Sequence, residues 1–442
     1  MRFLGSLLCA LFIFHAAAPL YAEDAGSVLV LTLEDATERA LEYSINLQKD
    51  RISLEDEEYA SKRLWTEIFP TISVGANVRY GSPLFTGTAG GSVAQRFSYG
   101  TSVALNLSLT AGIPYRMKLL SLAYQRQLLR YEDTRRLLEI SVAQSFYALI
   151  AEQENLAQLG ETLTLAERQL ERHRVGRANG MISETTLLQS QLAVETARYN
   201  LSSAQAGYSN SLGDYLSSLG LPPETPVRLE GEFEIRRIER DPDELIRDYL
   251  PTRPDIVQQR RAIEELELSR RRGVLDARAP SVRLSFDWSG GSGSAGITGP
   301  FTDNLSGTVS LSIPVNPWIP GTSESRALRT AESSIERALL DLKSTEDAAA
   351  GQIRSLTANL RNSWESLEIA RLREQVAQRS YELTEQGFLN GTVESLTLET
   401  NRNNLAAARY QLLRSEAQYQ NMVLDLARAI NVDWRQLLRS EL

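Results

Sequence analysis

The chain of 442 residues holds few of the side chains on which catalysis and metal binding depend. It has one cysteine, Cys9, two histidines, His15 and His173, and four lysines, none of which follows a glycine. Zinc, haem, iron–sulfur, thiol and serine–histidine chemistry therefore lack their usual side chains, and the Gly-Lys pair of a P-loop is absent. The net charge of −9 argues against a nucleic-acid-binding surface. We expect neither an enzyme nor a protein that holds a metal or cofactor.

Residues 1–22 have the pattern of a secretory signal peptide. A single basic residue, Arg2, precedes an apolar run, and the small residue Ala22 precedes two acidic ones. The apolar run is shorter than the roughly 20 residues of a membrane-spanning helix. Cys9 lies within the run, so cleavage would remove it, and we expect no lipid anchor. The sequence thus predicts an exported chain that keeps His173 as its sole histidine.

Two copies of one sequence plan follow each other along the chain. Residues 176–180 (Gly-Arg-Ala-Asn-Gly) recur as residues 387–391 (Gly-Phe-Leu-Asn-Gly), an offset of 211 positions. The same offset relates Leu201 to Leu412, Tyr208 to Tyr419 and Asp214 to Asp425. Because the offset holds over such a long stretch, we predict a tandem duplication. Repeat one spans residues 23–221, a connection rich in proline spans 222–242, and repeat two spans 243–442.

Long stretches without proline in both repeats predict long helices. Prolines are absent from residues 115–221 and 321–442. Apolar residues recur there every seven positions, as in Leu187, Val194 and Leu201, which is typical of coiled-coil packing. Asn-Gly pairs interrupt the pattern and predict the tips of hairpins. The predicted long helices lie at about residues 115–178, 183–220, 322–388 and 393–430, and a shorter helix opens each repeat.

Four segments between the helices alternate apolar and small polar side chains and are predicted strands. They lie at about residues 70–82, 97–110, 280–289 and 304–314, joined into two hairpins by loops rich in glycine and serine. An apolar face opposite a face of Ser, Thr, Asn and Gly is typical of outer-membrane strands, and a half-exposed soluble sheet is the local alternative. Four strands cannot close a transmembrane barrel by themselves. Two identical chains would supply about 8 strands, which fill their own interior, and three would supply about 12, which could leave a pore, so a pore-forming assembly favours at least a trimer.

Two motifs mark corresponding helices of the two repeats. Arg253-Pro254-Asp255 opens a helical run that continues to Pro280, and Phe69-Pro70 ends the equivalent helix of repeat one. These motifs resemble those of the homotrimeric TolC family of outer-membrane efflux proteins, in which the Arg-Pro-Asp motif opens the second repeat, and the likeness covers essentially the whole mature chain. The resemblance implies a mainly α fold with a small β part. Tandem repeats of long coiled α-helical hairpins would form an α-barrel, and four transmembrane strands per chain would contribute to a trimeric 12-stranded β-barrel.

The resemblance also implies a function and partners. The chain would be the passive exit duct of a tripartite efflux or type I secretion system, spanning the outer membrane and the periplasm. A periplasmic membrane-fusion adaptor and an inner-membrane transporter of the RND, ABC or MFS type would dock at the tips and open the duct. Outer-membrane lipid would surround the strands. The alternatives are a periplasmic coiled-coil adaptor, a secreted helical scaffold, and an envelope enzyme, for which no polar catalytic cluster is found.

The residues implied in function lie at the hairpin tips. Those assigned to adaptor docking by resemblance are Val175, Gly176, Asn179, Gly180, Gly387, Asn390 and Gly391. The family often has acidic residues shortly after the glycine of its second repeat, and Glu394 is the nearest match. Glu184 lies one position from the equivalent place in repeat one. The implied role of both glutamates is a lumen constriction that attracts cations, and a solvated glutamate on a helix face is the alternative.

Overall fold

The computed structural model describes residues 29–81, 96–231, 233–292 and 300–439. The predicted signal peptide, residues 1–22, and most of both strand-connecting loops lie outside the described residues. The described strands are β1 (Leu29–Leu31), β2 (Thr71–Gly81), β3 (Arg96–Leu109), β4 (Val227–Leu229), β5 (Ser281–Gly291) and β6 (Thr302–Ser312). The described helices are α1 (Leu33–Tyr43), α2 (Ile45–Lys62), α3 (Ile113–Ala178), α4 (Glu184–Ser218), α5 (Pro242–Tyr249), α6 (Pro254–Arg278), α7 (Ser323–Leu389), α8 (Ser395–Ile430) and α9 (Trp434–Arg439).

Long helical hairpins dominate the architecture. Helices α3 and α7 contain 66 and 67 residues, which correspond to about 100 Å each at about 1.5 Å per residue. Helix α3 packs against α4, and α7 packs against α8 in the same way. Both hairpins end in a left-handed residue, at Gly220 after α4 and at Asn431 after α8. The predicted fold of tandem coiled hairpins with a small β part is confirmed.

The four longer strands form one antiparallel sheet in the order β2-β3-β5-β6. Its register sets apolar side chains of all four strands side by side, as in the row Val74, Val103, Trp288 and Leu305. The opposite face carries mainly Ser, Thr, Asn and Gly. The pairing of β3 with β5 joins the hairpins of the two repeats into one sheet. Among the described residues, no helix has the length and apolar character needed to cross a membrane.

Strand β5 continues to Gly291, two residues beyond its predicted end at position 289. Gly291 lies opposite Gly100 of β3, and a Cβ atom on Gly291 would overlap the carbonyl oxygen of Tyr99. Glycine is therefore required here because the two backbones approach so closely. The glycine pair at positions 290 and 291 is part of the strand, although in the sequence it resembles the start of a loop.

The main core lies where the two repeats meet, near the middle of α3 and α7 and near the C-terminal ends of α4 and α8. Phe146 of α3, Leu360 and Leu367 of α7, and Val423 of α8 are almost completely buried there. The core also includes parts of α1 and α9, and the parallel strands β1 and β4 pair beside it. The sequence does not predict these two strands, because three residues give too little alternation to detect. Their pairing joins the start of repeat one to the inter-repeat connection.

The inter-repeat connection crosses the long helices as an extended segment, residues 233–241, which we call the strap. Tyr419 of α8 is fully buried beneath it. The Tyr419 hydroxyl donates a hydrogen bond to the carbonyl oxygen of Arg236 at 2.6 Å and accepts one from the N–H of Ile238 at 3.2 Å. Trp364 of α7 packs edge-on against the Tyr419 ring. Tyr419 therefore fixes the strap to repeat two.

The Arg-Pro-Asp motif also belongs to this junction. The Arg253 side chain is only 14% exposed, and it pairs with Asp255 at 2.9 Å. It also donates a hydrogen bond to the carbonyl oxygen of Ala429 at 3.2 Å, near the end of α8. The motif thus ties the start of α6 to the end of α8. Its carboxylate, Asp255, also acts on Asp133 of α3. Burial raises the pKa of Asp133, and the negative charge of Asp255 raises it further.

Candidate functional site at the hairpin tips

Both long hairpins turn over an Asn-Gly pair with the same backbone conformation. Asn179 and Asn390 end α3 and α7, and Gly180 and Gly391 follow with φ angles of +74° and +71°. Glycine suits this left-handed region because it has no Cβ atom. In each tip, the N–H two residues after the asparagine donates to the carbonyl oxygen of the preceding helix's glycine, at 2.8 Å in repeat one and 2.9 Å in repeat two. The two tips are therefore built alike.

The glycine near the end of each descending helix is required by packing. A Cβ atom on Gly176 would lie 2.5 Å from Cγ1 of Ile182, and one on Gly387 would lie 2.5 Å from Cγ2 of Val393. The apolar residue after each turn thus folds back onto this glycine. Val175, beside Gly176, is exposed at the surface. The predicted docking residues of each repeat are brought together in its tip.

The two predicted constriction residues occupy different places in their tips. Glu394 is the exposed N-cap residue of α8, and its side chain makes no capping hydrogen bond within the described part of the chain. Its equivalent at the offset of 211 is Ser183, which caps α4 by accepting a hydrogen bond from the Thr186 N–H at 3.1 Å. Glu184 is the first residue of α4 and pairs with Arg177 at 3.8 Å. Of these two glutamates, only Glu394 stands without an ion-pair partner among the described residues.

A buried polar layer crosses the hairpin of repeat one above its tip. The Arg172 guanidinium donates to Oε1 of Gln169 at 2.6 Å, so the Gln169 amide turns its Nε2 group toward Nε2 of His173 at 2.9 Å. Nδ1 of His173 contacts Oγ of Ser190 on α4. Ser190 in turn donates to the carbonyl oxygen of Thr186 at 3.0 Å. His173 therefore links Gln169 of α3 to Ser190 of α4 across the hairpin.

The hairpin of repeat two has a polar layer at the same depth. Oγ of Ser380 donates to Oδ1 of Asn401 at 3.2 Å, and Nδ2 of Asn401 donates to Oγ1 of Thr384 at 2.8 Å. These three residues stand at the offset of 211 from Gln169, His173 and Ser190. Sequence reasoning missed both layers, although their signal is present. Ser190 and Asn401 each occupy the small-residue position of a heptad pattern that is otherwise apolar or small.

The tips combine charged side chains and exposed apolar side chains on hairpins whose turns are fixed by hydrogen bonds. Within the described ranges, no group of three or more His, Cys, Asp or Glu side chains is arranged to hold a metal ion. The two tips lie side by side, because α3 packs along α8 and residues of both helices line one groove. Such an arrangement can bind a partner helix or set the charge that a passing ion meets.

The sequence profile of one family, described as "Outer membrane efflux protein", matches residues 36–220 and 245–432. The match covers most of both repeats, and the chain belongs to this family. No curated protein matches the chain by sequence. The chain is therefore a transport protein of the outer membrane with a periplasmic helical domain, as the resemblance to the TolC family predicts. The adaptor and scaffold alternatives are not favoured.

Solved outer-membrane channels share the fold over almost their whole length. The CmeC outer membrane channel of Campylobacter jejuni is 16% identical, with a TM-score of 0.71 over 92% of this chain and 89% of that one. The MtrE outer membrane channel of Neisseria gonorrhoeae, in its open state, is 15% identical, with a TM-score of 0.71 over 90% and 89%. The outer membrane protein VceC of Vibrio cholerae is 14% identical, with a TM-score of 0.68 over 91% and 96%. At these identities the likeness shows the fold alone.

Proposed function

We propose that three copies of this chain form the exit duct of a tripartite efflux or type I secretion system. The sheet carries this proposal. Its apolar face is open, and its outer strands, β2 and β6, each pair on one side only within the described residues. In lipid, an unpaired backbone group costs several kcal/mol, so both edges need a partner strand. Three sheets of four strands would join edge to edge into about 12 strands around a pore.

Outer-membrane lipid is the proposed neighbour of the apolar face. Trp65, Phe69 and Trp318, near the ends of the strands that lead to the helices, are each more than half exposed. The Arg278 guanidinium lies 4.9 Å from the centroid of the Trp318 ring. Aromatic and cationic side chains concentrate at the boundary between membrane and water. These residues support a periplasmic bilayer boundary at this end of the sheet.

The hairpins would carry the duct across the periplasm to its partners. Helix α3 alone spans about 100 Å, which suits a conduit more than a compact domain. A membrane-fusion adaptor would dock at the tips formed around Gly176 and Gly387, and an inner-membrane transporter of the RND, ABC or MFS type would supply the energy. The duct itself is passive, and its tip opens when the partners move the coiled helices.

The mass of the detergent-solubilised protein, measured together with planar-bilayer recording of the same preparation, tests this function. We expect the mass of three chains and stepwise ion conductance, because three sheets joined edge to edge should enclose a water-filled pore. A monomer that is soluble without detergent and does not conduct would contradict the duct. A dimer would contradict the pore, because about 8 strands fill their own interior.

Replacing Glu394 with alanine tests the proposed constriction. If three Glu394 carboxylates converge on the axis, we expect Glu394→Ala to raise single-channel conductance by about two-fold and to weaken block by divalent cations, since a ring of negative charge binds them. Single-channel recording with and without added magnesium measures both effects. Glu184→Ala is the matched variant, and we expect a smaller change because Arg177 already pairs with that carboxylate. Unchanged conductance and block in Glu394→Ala would remove Glu394 from the constriction.

A further inference from the structure

A groove between α3 and α8 near the tips has an excess of positive charge. We call it the tip groove, and its volume is about 570 Å³. Its lining residues are Leu165, Arg168, Glu171, Arg172 and Val175 of α3 and Arg402 of α8. The single carboxylate among them, Glu171, already pairs with Arg174 at 3.5 Å. Arg172 is bonded to the neutral amide of Gln169, and neither Arg168 nor Arg402 has an ion-pair partner within the described ranges.

The equivalent surface of repeat two is close to neutral. At the offset of 211, the α3 residues of the tip groove correspond to Val376, Arg379, Glu382, Leu383 and Gln386, and Arg402 corresponds to the uncharged Gln191. Arg379 donates to Glu382 at 3.0 Å, and Gln378 donates to the same carboxylate at 2.9 Å. The hydrogen bond from Gln378, followed by that from Arg379, lowers the pKa of Glu382, so this charge pair persists. The positive excess therefore belongs to the tip groove and is not repeated at the equivalent positions.

We propose that the tip groove binds an acidic, apolar-flanked helix of the periplasmic adaptor. Arg168 and Arg172 stand four residues apart on α3 and would face carboxylates spaced by one helical turn, while Leu165 and Val175 would contact apolar side chains at either end. These ends are ten residues apart, or about 15 Å, which is enough for two to three turns of a partner helix. This proposal rests on the proposed function, because the partner helix belongs to the adaptor that would dock at the tips.

The position of the tip groove favours a protein partner over outer-membrane lipid. Arg168 lies 55 residues along α3 from its start next to the strands, a distance of about 80 Å. Lipid around the sheet does not reach that far. In a trimer the tip groove would occur three times, alternating with three copies of the neutral surface of repeat two. An adaptor would thus meet two chemically different docking surfaces, and its acidic helix would distinguish them.

Peptide binding to the full-length, detergent-solubilised protein tests the assignment. The probe is a labelled helical peptide of Ala, Gln and Leu with two Glu residues four positions apart, and its counterpart has Lys at both positions. Fluorescence anisotropy measures the affinity of each. We expect the Glu peptide to bind about ten-fold more tightly than the Lys peptide at low salt, and added salt to reduce this difference. Equal affinities, or no saturable binding of the Glu peptide, would overturn the proposal.

Charge reversal at one position separates the two surfaces. We expect Arg168→Glu to weaken binding of the Glu peptide by about ten-fold and to strengthen binding of the Lys peptide. Arg379→Glu is the matched control, because Arg379 is the repeat-two equivalent of Arg168, and its effect should be negligible. Equal effects of the two variants would contradict a site in the tip groove. Complete displacement of the Glu peptide by millimolar phosphate at constant ionic strength would assign the groove to small anions instead and overturn the proposal.

The mass and conductance of the same preparation distinguish failure of the acidic-partner proposal from failure of the proposed duct. A trimer that conducts ions but does not discriminate between the peptides would keep the duct and lose the acidic partner. A preparation that is neither trimeric nor conducting would remove the proposed duct itself, whatever the peptides do.

Discussion

Replacing Val309 of β6 with arginine is expected to prevent assembly of the protein in the outer membrane. Val309 lies on the apolar face of the sheet, two residues from the middle of β6, and is 73% exposed. Arginine on a lipid-facing position near the bilayer midplane costs about 2–4 kcal/mol. A trimer would contain three such positions, so the cost would be roughly three times as large. The measurement is the fraction of membrane-extracted protein that cross-links as a trimer, compared with the wild type.

The neighbouring residue gives the control for this prediction. Thr308 precedes Val309 and therefore points to the opposite, polar face of the sheet. Thr308→Arg introduces the same side chain on a surface that would line the water-filled interior. We expect it to assemble nearly as well as the wild type. Equal loss of trimer in the two variants would show that both faces exclude charge, which contradicts the assignment of one face to lipid.

Removing the hydroxyl of Tyr419 is expected to loosen the strap that joins the repeats. Tyr419→Phe keeps the buried ring and its contact with Trp364, but it deletes the donor to Arg236 and the acceptor for Ile238. Leaving a buried backbone group without its partner costs about 1–3 kcal/mol. We expect a lower unfolding temperature in detergent. Circular dichroism at a wavelength that reports helix content measures this temperature. Limited proteolysis should also cut the strap, residues 233–241, more quickly.

The duplicated sequence supplies a matched variant. Tyr208 is the repeat-one equivalent of Tyr419 and is only partly buried, and its hydroxyl lies 3.4 Å from Oε1 of Gln153. This is a long bond between side chains, so Tyr208→Phe should change the unfolding temperature much less. Similar losses in Tyr208→Phe and Tyr419→Phe would show that the strap does not depend on its hydrogen bonds to Tyr419.

The long elements of the fold are predictable because their signals are periodic. A heptad pattern sustained from Leu187 to Tyr215, and a period-two alternation, as from Ile72 to Tyr80, each specify one element type. The break between α1 and α2 at Ser44 is not predictable in this way. It depends on a local cap, in which Oγ of Ser44 accepts a hydrogen bond from the Leu47 N–H. Strands β1 and β4 exist only because they pair with each other.

The tip was predictable in part, for a physical reason. The Asn-Gly turns follow from the backbone conformation that a tight hairpin requires, so local sequence reveals Gly180 and Gly391. The tip groove depends on which face of α3 meets α8, because Arg168 and Arg402 are 234 positions apart in the sequence. No single segment carries that information. The sequence resemblance likewise identified Arg253, but only the packing shows that it binds the end of α8.

The two polar layers restrict how a tip can move. In a coiled pair with a purely apolar seam, one helix could slip by seven residues and still set leucine against leucine. Here such a slip would set Gln169 or Asn401 against apolar neighbours, at a cost of about 1–3 kcal/mol for each polar group left unpaired. The polar layers therefore add to the short Asn-Gly turns in holding each hairpin in one register, and we expect its two helices to move together.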